Sequence, residues 1–278
     1  MTTEPVQTWA SPEAAEMWRR SAARRAQTLA RATQEMLAAA GLVPGQKVLD
    51  VAAGTGEQTV LAAQRVLPGG SVLATDISAS MLDVTADVTR EAGLENVTTL
   101  TADASVLDLA AAEFDAAICR FGLMFVPDLQ AALSRIRQAL KPGSRFAALV
   151  WASETDNPFI GLQLGVVRQL GRMPSPLPTL ARTVSLSAPG FLATQLERAG
   201  FHDVTVRPIE TPRVFSSVDD ALEAMQSSTP ASGELGRDMT AADRQHYLDE
   251  LRRRLEAYVR PDGQVILPGA ALLSSAVA

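Results

Sequence analysis

The chain of 278 residues has one cysteine, Cys119, and two histidines. A lone cysteine forms no internal disulfide, and no Cys/His cluster stands at metal-ligand spacing, which excludes a structural zinc site and points to a reducing compartment. An excess of basic charge is also missing: 25 Lys and Arg face 31 Asp and Glu, for a formal net charge of -6. A nucleic-acid partner would need a local basic patch acting against that field, so none is expected. No apolar run approaches the ~20 residues of a membrane span, and MTTEPVQTWASPEAAEMWRR lacks the basic-then-apolar layout of a secretory leader. The expectation is a soluble, cytoplasmic protein, long enough to bury a substantial core.

What is present is alternation. Ser11-Pro12-Glu13 reads as a helix start and Gly41 with Pro44-Gly45 as a stop, so residues 1–40 form an N-terminal helical cover. On it Trp18, Ala22, Leu29, Met36 and Leu37 can share one face, leaving Arg19, Arg20, Arg24, Arg25 and Arg31 mostly off it, as a solvated basic face or, alternatively, a binding site for an anion or acidic partner. From 41 to 151 short apolar runs at Lys47–Val51, Ser71–Thr75, Val97–Thr101, Phe114–Cys119 and Arg145–Trp151 alternate with helical patterns. The clearest helix repeats Leu129, Leu133, Ile136 and Leu140 and stops at Lys141-Pro142-Gly143. Such alternation implies parallel strands joined by right-handed crossovers, with helices on both faces. Residues 152–278 would hold the rest of the sheet and a cover: a Pro-rich loop at 173–178, a helix over Ala188–Ala199, a strand near Asp203–Arg207, and helical pattern over 217–260 with Thr240 as a cap.

The chemistry centres on VLDVAAGTGEQT, residues 48–59. A dinucleotide loop needs a third glycine where Thr59 or Glu57 stands, and no Gly-Lys-Ser/Thr follows to make a nucleoside triphosphate loop. Glu57 at the helix start would repel a phosphate, so the expected ligand has none there. Asp76 ends the second apolar run, where a carboxylate can accept hydrogen bonds from both hydroxyls of a ribose.

Val48-Leu49-Asp50-Val51-Ala52-Ala53-Gly54-Thr55-Gly56 resembles motif I of the class I S-adenosylmethionine-dependent methyltransferases, with Ala52 in place of the commoner glycine. The resemblance is specific over about 40–151. It implies an α/β fold, a Rossmann-like seven-stranded mostly parallel sheet in the order 3-2-1-4-5-7-6, and S-adenosylmethionine as cofactor. It also implies that Asp50, Ala52, Gly54, Thr55 and Gly56 form the cofactor loop, that Asp76 holds the ribose, and that Ile77 and Met81 flank the adenine. Asp103 and Ala104 would meet the adenine edge, and Cys119-Arg120-Phe121 the methionine end. The FGLMFVPD run, Trp151 and Asn157-Pro158-Phe159 are similar to the UbiE-related small-molecule methyltransferases.

That group implies transfer of a methyl to a small, apolar acceptor such as a quinone, lipid or specialised metabolite. Trp18, Phe125, Trp151, Phe159 and Met173 are candidate walls of the acceptor pocket, with core packing as the competing reading. His246 is the candidate general base and His202 a surface residue; both fit solvated positions as well. An RNA or protein methyltransferase, and a protein of this fold that binds the cofactor without transferring methyl, stay open. The DNA amino-methyltransferase signature is absent, since Cys119-Arg120-Phe121-Gly122 stands where it would fall.

Overall fold

A computed structural model describes residues 11–173, 178–227, 235 and 239–278. Its first element is one uninterrupted helix, α1 (Pro12–Ala39), capped by Ser11, whose Oγ accepts from the Ala14 amide at 3.1 Å. Leu29, Ala32, Met36 and Leu37 are buried along it at helical spacing.

The sheet is built as the alternation predicts. Strands β1 (Lys47–Val51), β2 (Ser71–Asp76), β3 (Val97–Thr101), β4 (Phe114–Arg120), β5 (Leu140–Trp151), β6 (His202–Glu210) and β9 (Ala270–Val277) form seven strands in the order β3-β2-β1-β4-β5-β9-β6. Pairings from β3 through β5 are parallel, and β9 runs antiparallel to both β5 and β6. The order is that expected, since β9 is the seventh strand to enter the sheet. The antiparallel pair β7 (Arg213–Phe215) and β8 (Val265–Leu267) stands apart as a two-stranded sheet.

Buried strand residues alternate between two cores, as period-2 geometry requires. Leu49, Val51, Ala117, Cys119, Phe146 and Ala148 face one, and Val48, Ala116, Ile118, Ala147 and Leu149 the other. Each large side chain fully removed from water is worth about 1.5–3 kcal/mol, so a polar insertion in either layer would be severe. Helices α2 (Glu57–Val66), α3 (Ala79–Glu91), α4 (Leu129–Ala139) and α7 (Phe191–Arg198) connect and cover the strands.

Two expectations need correction. Lys141-Pro142-Gly143 follows α4 but lies inside β5: Leu140 already pairs with Phe114, and pairing resumes at Arg145 with Ala116, so the turn bulges from the strand. Helix α7 begins at Phe191 rather than Ala188, because Gly190 sits at φ +74° and starts the turn there. Among the described residues of 217–260 the helical reading falls on α8 (Val218–Ser227) and α9 (Ala241–Leu255), the second capped as expected by Thr240 accepting from the Asp243 amide. Of the Pro-rich stretch 173–178, residues 174–177 lie outside the described residues.

A third core joins α5 (Pro158–Gln169), the short α6 (Thr179–Arg182), α8, α9 and the β7/β8 pair around Phe159, Leu164, Phe215, Leu251 and Leu255. This cap grows from two insertions, after β5 and between β6 and β9. Asn157 anchors it: its Nδ2 donates to the Ala270 carbonyl at 2.9 Å and its Oδ1 accepts from the Ala270 amide at 3.1 Å.

Candidate functional site

Between β1 and α2 the chain reverses through a loop of left-handed residues. Ala52 has φ +55°, Gly54 +59° and Gly56 +83°. An alanine there is strained by roughly 1–2 kcal/mol. The two glycines have different needs. A Cβ on Gly54 would meet nothing within 4 Å, so its positive φ demands glycine; one on Gly56 would stand 3.0–3.1 Å from Thr85 of α3, so close helix packing adds a second demand.

Asp50 does not reach the cavity as a cofactor ligand would. It is fully buried, accepting from Thr59 Oγ1 at 2.6 Å and Gln58 Nε2 at 3.3 Å, and burial pushes its carboxyl up to about 7. Its action is to hold the start of α2 against the end of β1. Gly56 likewise shapes the loop without lining the cavity.

The strand ends open onto a cavity of about 680 Å³, within the roughly 300–1,000 Å³ typical of small-molecule sites. Ala52, Gly54, Thr55, Asp76, Ile77, Met81, Asp103, Ala104 and Arg120 all line it. Asp76 accepts from the Gly54 amide and the Ser78 amide, each at 2.9 Å, so it ties the β1 loop to the β2 end. Burial raises its carboxyl although these amides, with that of Ile77, act to lower it. Asp103 accepts from the Ser105 amide at 2.8 Å and hydroxyl at 2.7 Å. Ile77 is 37% exposed at the cavity wall, an apolar surface left for a ligand ring to cover.

Glu57 reverses one expectation. Its carboxylate sits between the guanidinium groups of Arg25 and Arg120, in ion pair with both. Burial alone would raise Glu57, but the Arg120 and Arg25 charges outweigh it and hold the carboxyl below its usual range. The loop mouth thus carries two cations against one anion, and repulsion of phosphate by Glu57 is cancelled. Arg25 is not part of a solvated face. It lies 4.1 Å over the Trp18 ring, donates to the Trp18 carbonyl at 3.1 Å, to Ser21 Oγ at 2.8 Å and to Thr55 Oγ1 at 3.1 Å, and its burial lowers its pKa. The helical spacing from Trp18 to Arg25 was a readable sign that both face one side.

Trp18, Phe125, Trp151 and Phe159 line the same cavity, whereas Met173 packs against the third core instead. His246 is exposed on α9 away from the cavity, because the buried stripe of that helix is Tyr247, Leu251 and Leu255; it is not placed to act as a base. His202 is exposed beside Asp203, as expected. Cys119 is buried with its thiol pushed up to about 12, so it is inert. Phe121, at φ +59°, stacks on Trp151 with ring centroids 4.3 Å apart. Arg213 and Arg182 also line the cavity and were missed. The one hint was Arg213 as a cation inside the short apolar run around Val214 and Phe215.

The sheet order and the strand-end loops define a Rossmann-like fold of the class I methyltransferase type. Residues 48–143 match the model of the methyltransferase domain family. Among curated proteins, an uncharacterised protein of Mycobacterium tuberculosis is 35% identical over 133 residues, 48% of this chain and 46% of that one. The ubiquinone/menaquinone biosynthesis C-methyltransferase UbiE of Haemophilus ducreyi is 37% identical over 119 residues, 42% of this chain and 46% of that one. The chain thus spans about half the length of the curated relatives it matches. The solved structure of the Bacillus subtilis YcgJ protein superposes with a TM-score of 0.60 at 16% identity, covering 89% of this chain and 97% of that one. Among the described residues no helix is long and apolar enough to cross a membrane.

Proposed function

We propose that the protein is an S-adenosylmethionine-dependent methyltransferase acting on a small, mainly apolar acceptor. The observation that carries this reading is one continuous cavity with the carboxylates of Asp76 and Asp103 at one end and the rings of Trp151 and Phe159 at the other. When bound, S-adenosylmethionine supplies a methyl activated on a sulfonium. Asp76 would receive the ribose hydroxyls on lone pairs not used by the Gly54 and Ser78 amides. Ile77 and Met81 would cover the adenine. The UbiE relative supports a quinone-like or lipid-like acceptor.

Among the described lining residues the carboxylates are Glu57, Asp76 and Asp103, and no histidine, lysine or tyrosine faces the cavity. Glu57 is held by two arginines, and both aspartates stand at the cofactor end. The protein's contribution to transfer is therefore positioning: enclosing donor and acceptor in line is worth several kcal/mol, up to roughly 7–11. That suits an acceptor atom that is already ionised, or carbon activated by its own substituents. Incubation with methyl-labelled S-adenosylmethionine and a panel of hydroquinones, phenols and enolisable ketones should give labelled product and S-adenosylhomocysteine. Binding of the cofactor with no transfer to any acceptor would instead establish a cofactor-binding role without methylation.

A further inference from the structure

Arg213 rises from β7 into the acceptor end of the cavity. Its guanidinium carbon lies 4.3 Å from the centre of the Phe159 ring and 5.2 Å from that of Trp151. Those rings are fixed in turn: Phe159 stacks parallel to Phe215 at 6.1 Å, and Trp151 lies on Phe121. Ring faces orient the cation and partly offset its removal from water, but they supply no acceptor for its five N–H donors. Among the described residues no carboxylate lies within ion-pair reach of Arg213, and no side-chain or carbonyl oxygen accepts from it. Burial lowers its pKa to about 10, so it stays charged at neutral pH.

Arg182, at the end of α6, lines the same cavity and also has no ion pair among the described residues. The other cavity arginines differ. Arg25 and Arg120 pair with Glu57, and Arg24 pairs with Asp220 at 2.8 Å. A buried cation left without a counter-charge is costly, and a planar fork held between aromatic faces has the geometry for an oxyanion.

Resting on the methyltransferase reading, we infer that the acceptor is an amphipathic anion, whose carboxylate or phosphate group is received by Arg213 with Arg182 beside it while its apolar body lies along Trp151 and Phe159. Arg213 would meet the oxyanion with two parallel N–H···O bonds, and the rings on either side would keep water from it. A neutral molecule of the same shape would leave the guanidinium dry and unpaired, so the site selects against it.

The test is calorimetric, on the full chain saturated with S-adenosylhomocysteine. 2-Naphthoate and decanoate are compared with 2-naphthamide and decanamide, and 2-naphthyl phosphate separates a phosphate from a carboxylate preference. At least one anion should bind roughly tenfold to hundredfold more tightly than its amide. R213Q should bring anion and amide to equal affinity while leaving S-adenosylhomocysteine affinity unchanged, and R213K should restore part of the preference. Equal affinity for anion and amide in the wild type, or loss of both in R213Q and R213K alike, would overturn the inference. Failure of S-adenosylhomocysteine to bind would sink the methyltransferase reading instead, and is scored in the same titrations before any naphthyl or decyl compound is added.

Discussion

Replacing Glu57 by glutamine removes the anion between Arg25 and Arg120 while keeping the side chain's size. The side chains of Glu57, Arg25 and Arg120 are 16%, 13% and 6% exposed, so solvent screens the cluster weakly. At about 4 Å and an effective dielectric constant near 20, each attraction is worth about 4 kcal/mol before desolvation is subtracted. Removing one partner of a buried pair costs about 3–5 kcal/mol, chiefly because the remaining charge is stranded. The glutamine amide can still accept from one arginine, which places E57Q near the lower end, about 3 kcal/mol. Urea unfolding followed by tryptophan fluorescence at pH 7.5 should show a lower midpoint with an unchanged slope. The pH dependence has a definite sign. Glu57 titrates lower in the folded chain than in the unfolded one, so its stabilisation is complete at neutral pH and is lost as pH falls below about 4.5. E57Q should lack that part of the acid-side slope. A loss below about 1 kcal/mol, the value of an exposed pair, would refute the account of this cluster.

Asp50 titrates higher folded than unfolded, at about 7 against 3.8, so the native state binds the extra proton and the wild type gains stability as pH is lowered. From pH 8 to pH 6 the gain should be about 1.4 kcal/mol, one proton over one unit, and D50N should lack it; parallel curves for the two proteins would contradict this. G122A places a Cβ 2.4 Å from the Cβ of Ala52 and 3.1 Å from Cys119 Sγ, and should cost about 1–3 kcal/mol in calorimetric unfolding; a wild-type Tm would contradict the packing described. A52G relieves the left-handed strain at φ +55° and should gain up to about 1 kcal/mol, the greater freedom of unfolded glycine offsetting part of it; clear destabilisation would show that the alanine is not strained.

The sheet was legible because its signals are local: apolar runs of five to seven residues, each ended by a turn or helix start, recover β1 to β4 within a residue. The places of Asp76 and Asp103 at the cavity were legible for the same reason, Asp76 standing directly after its run and Asp103 two residues past Thr101. The cap was less so. Its core comes from two insertions separated by β6, and helical periodicity in 217–260 marks helices without saying what they pack on. Arg25 was misjudged because its partner, Glu57, lies on another element 32 residues away, and a basic helix is read as solvated unless its counter-charge is known. Arg213 was missed because a buried cation with no acid to match leaves no pair in the sequence. His246 drew attention as one of two histidines, lying in an insert between the last strands that could fold over the site, but the face of α9 on which it sits points to solvent.

The central claim is that the carboxylate at the end of β2 holds the methyl donor. Titration of S-adenosylhomocysteine into the wild type and D76A tests it most directly, with circular dichroism confirming that both are folded. The account predicts at least roughly tenfold weaker binding in D76A, the loss of two charge-assisted hydrogen bonds to the ribose. Equal affinity in the two proteins would contradict it.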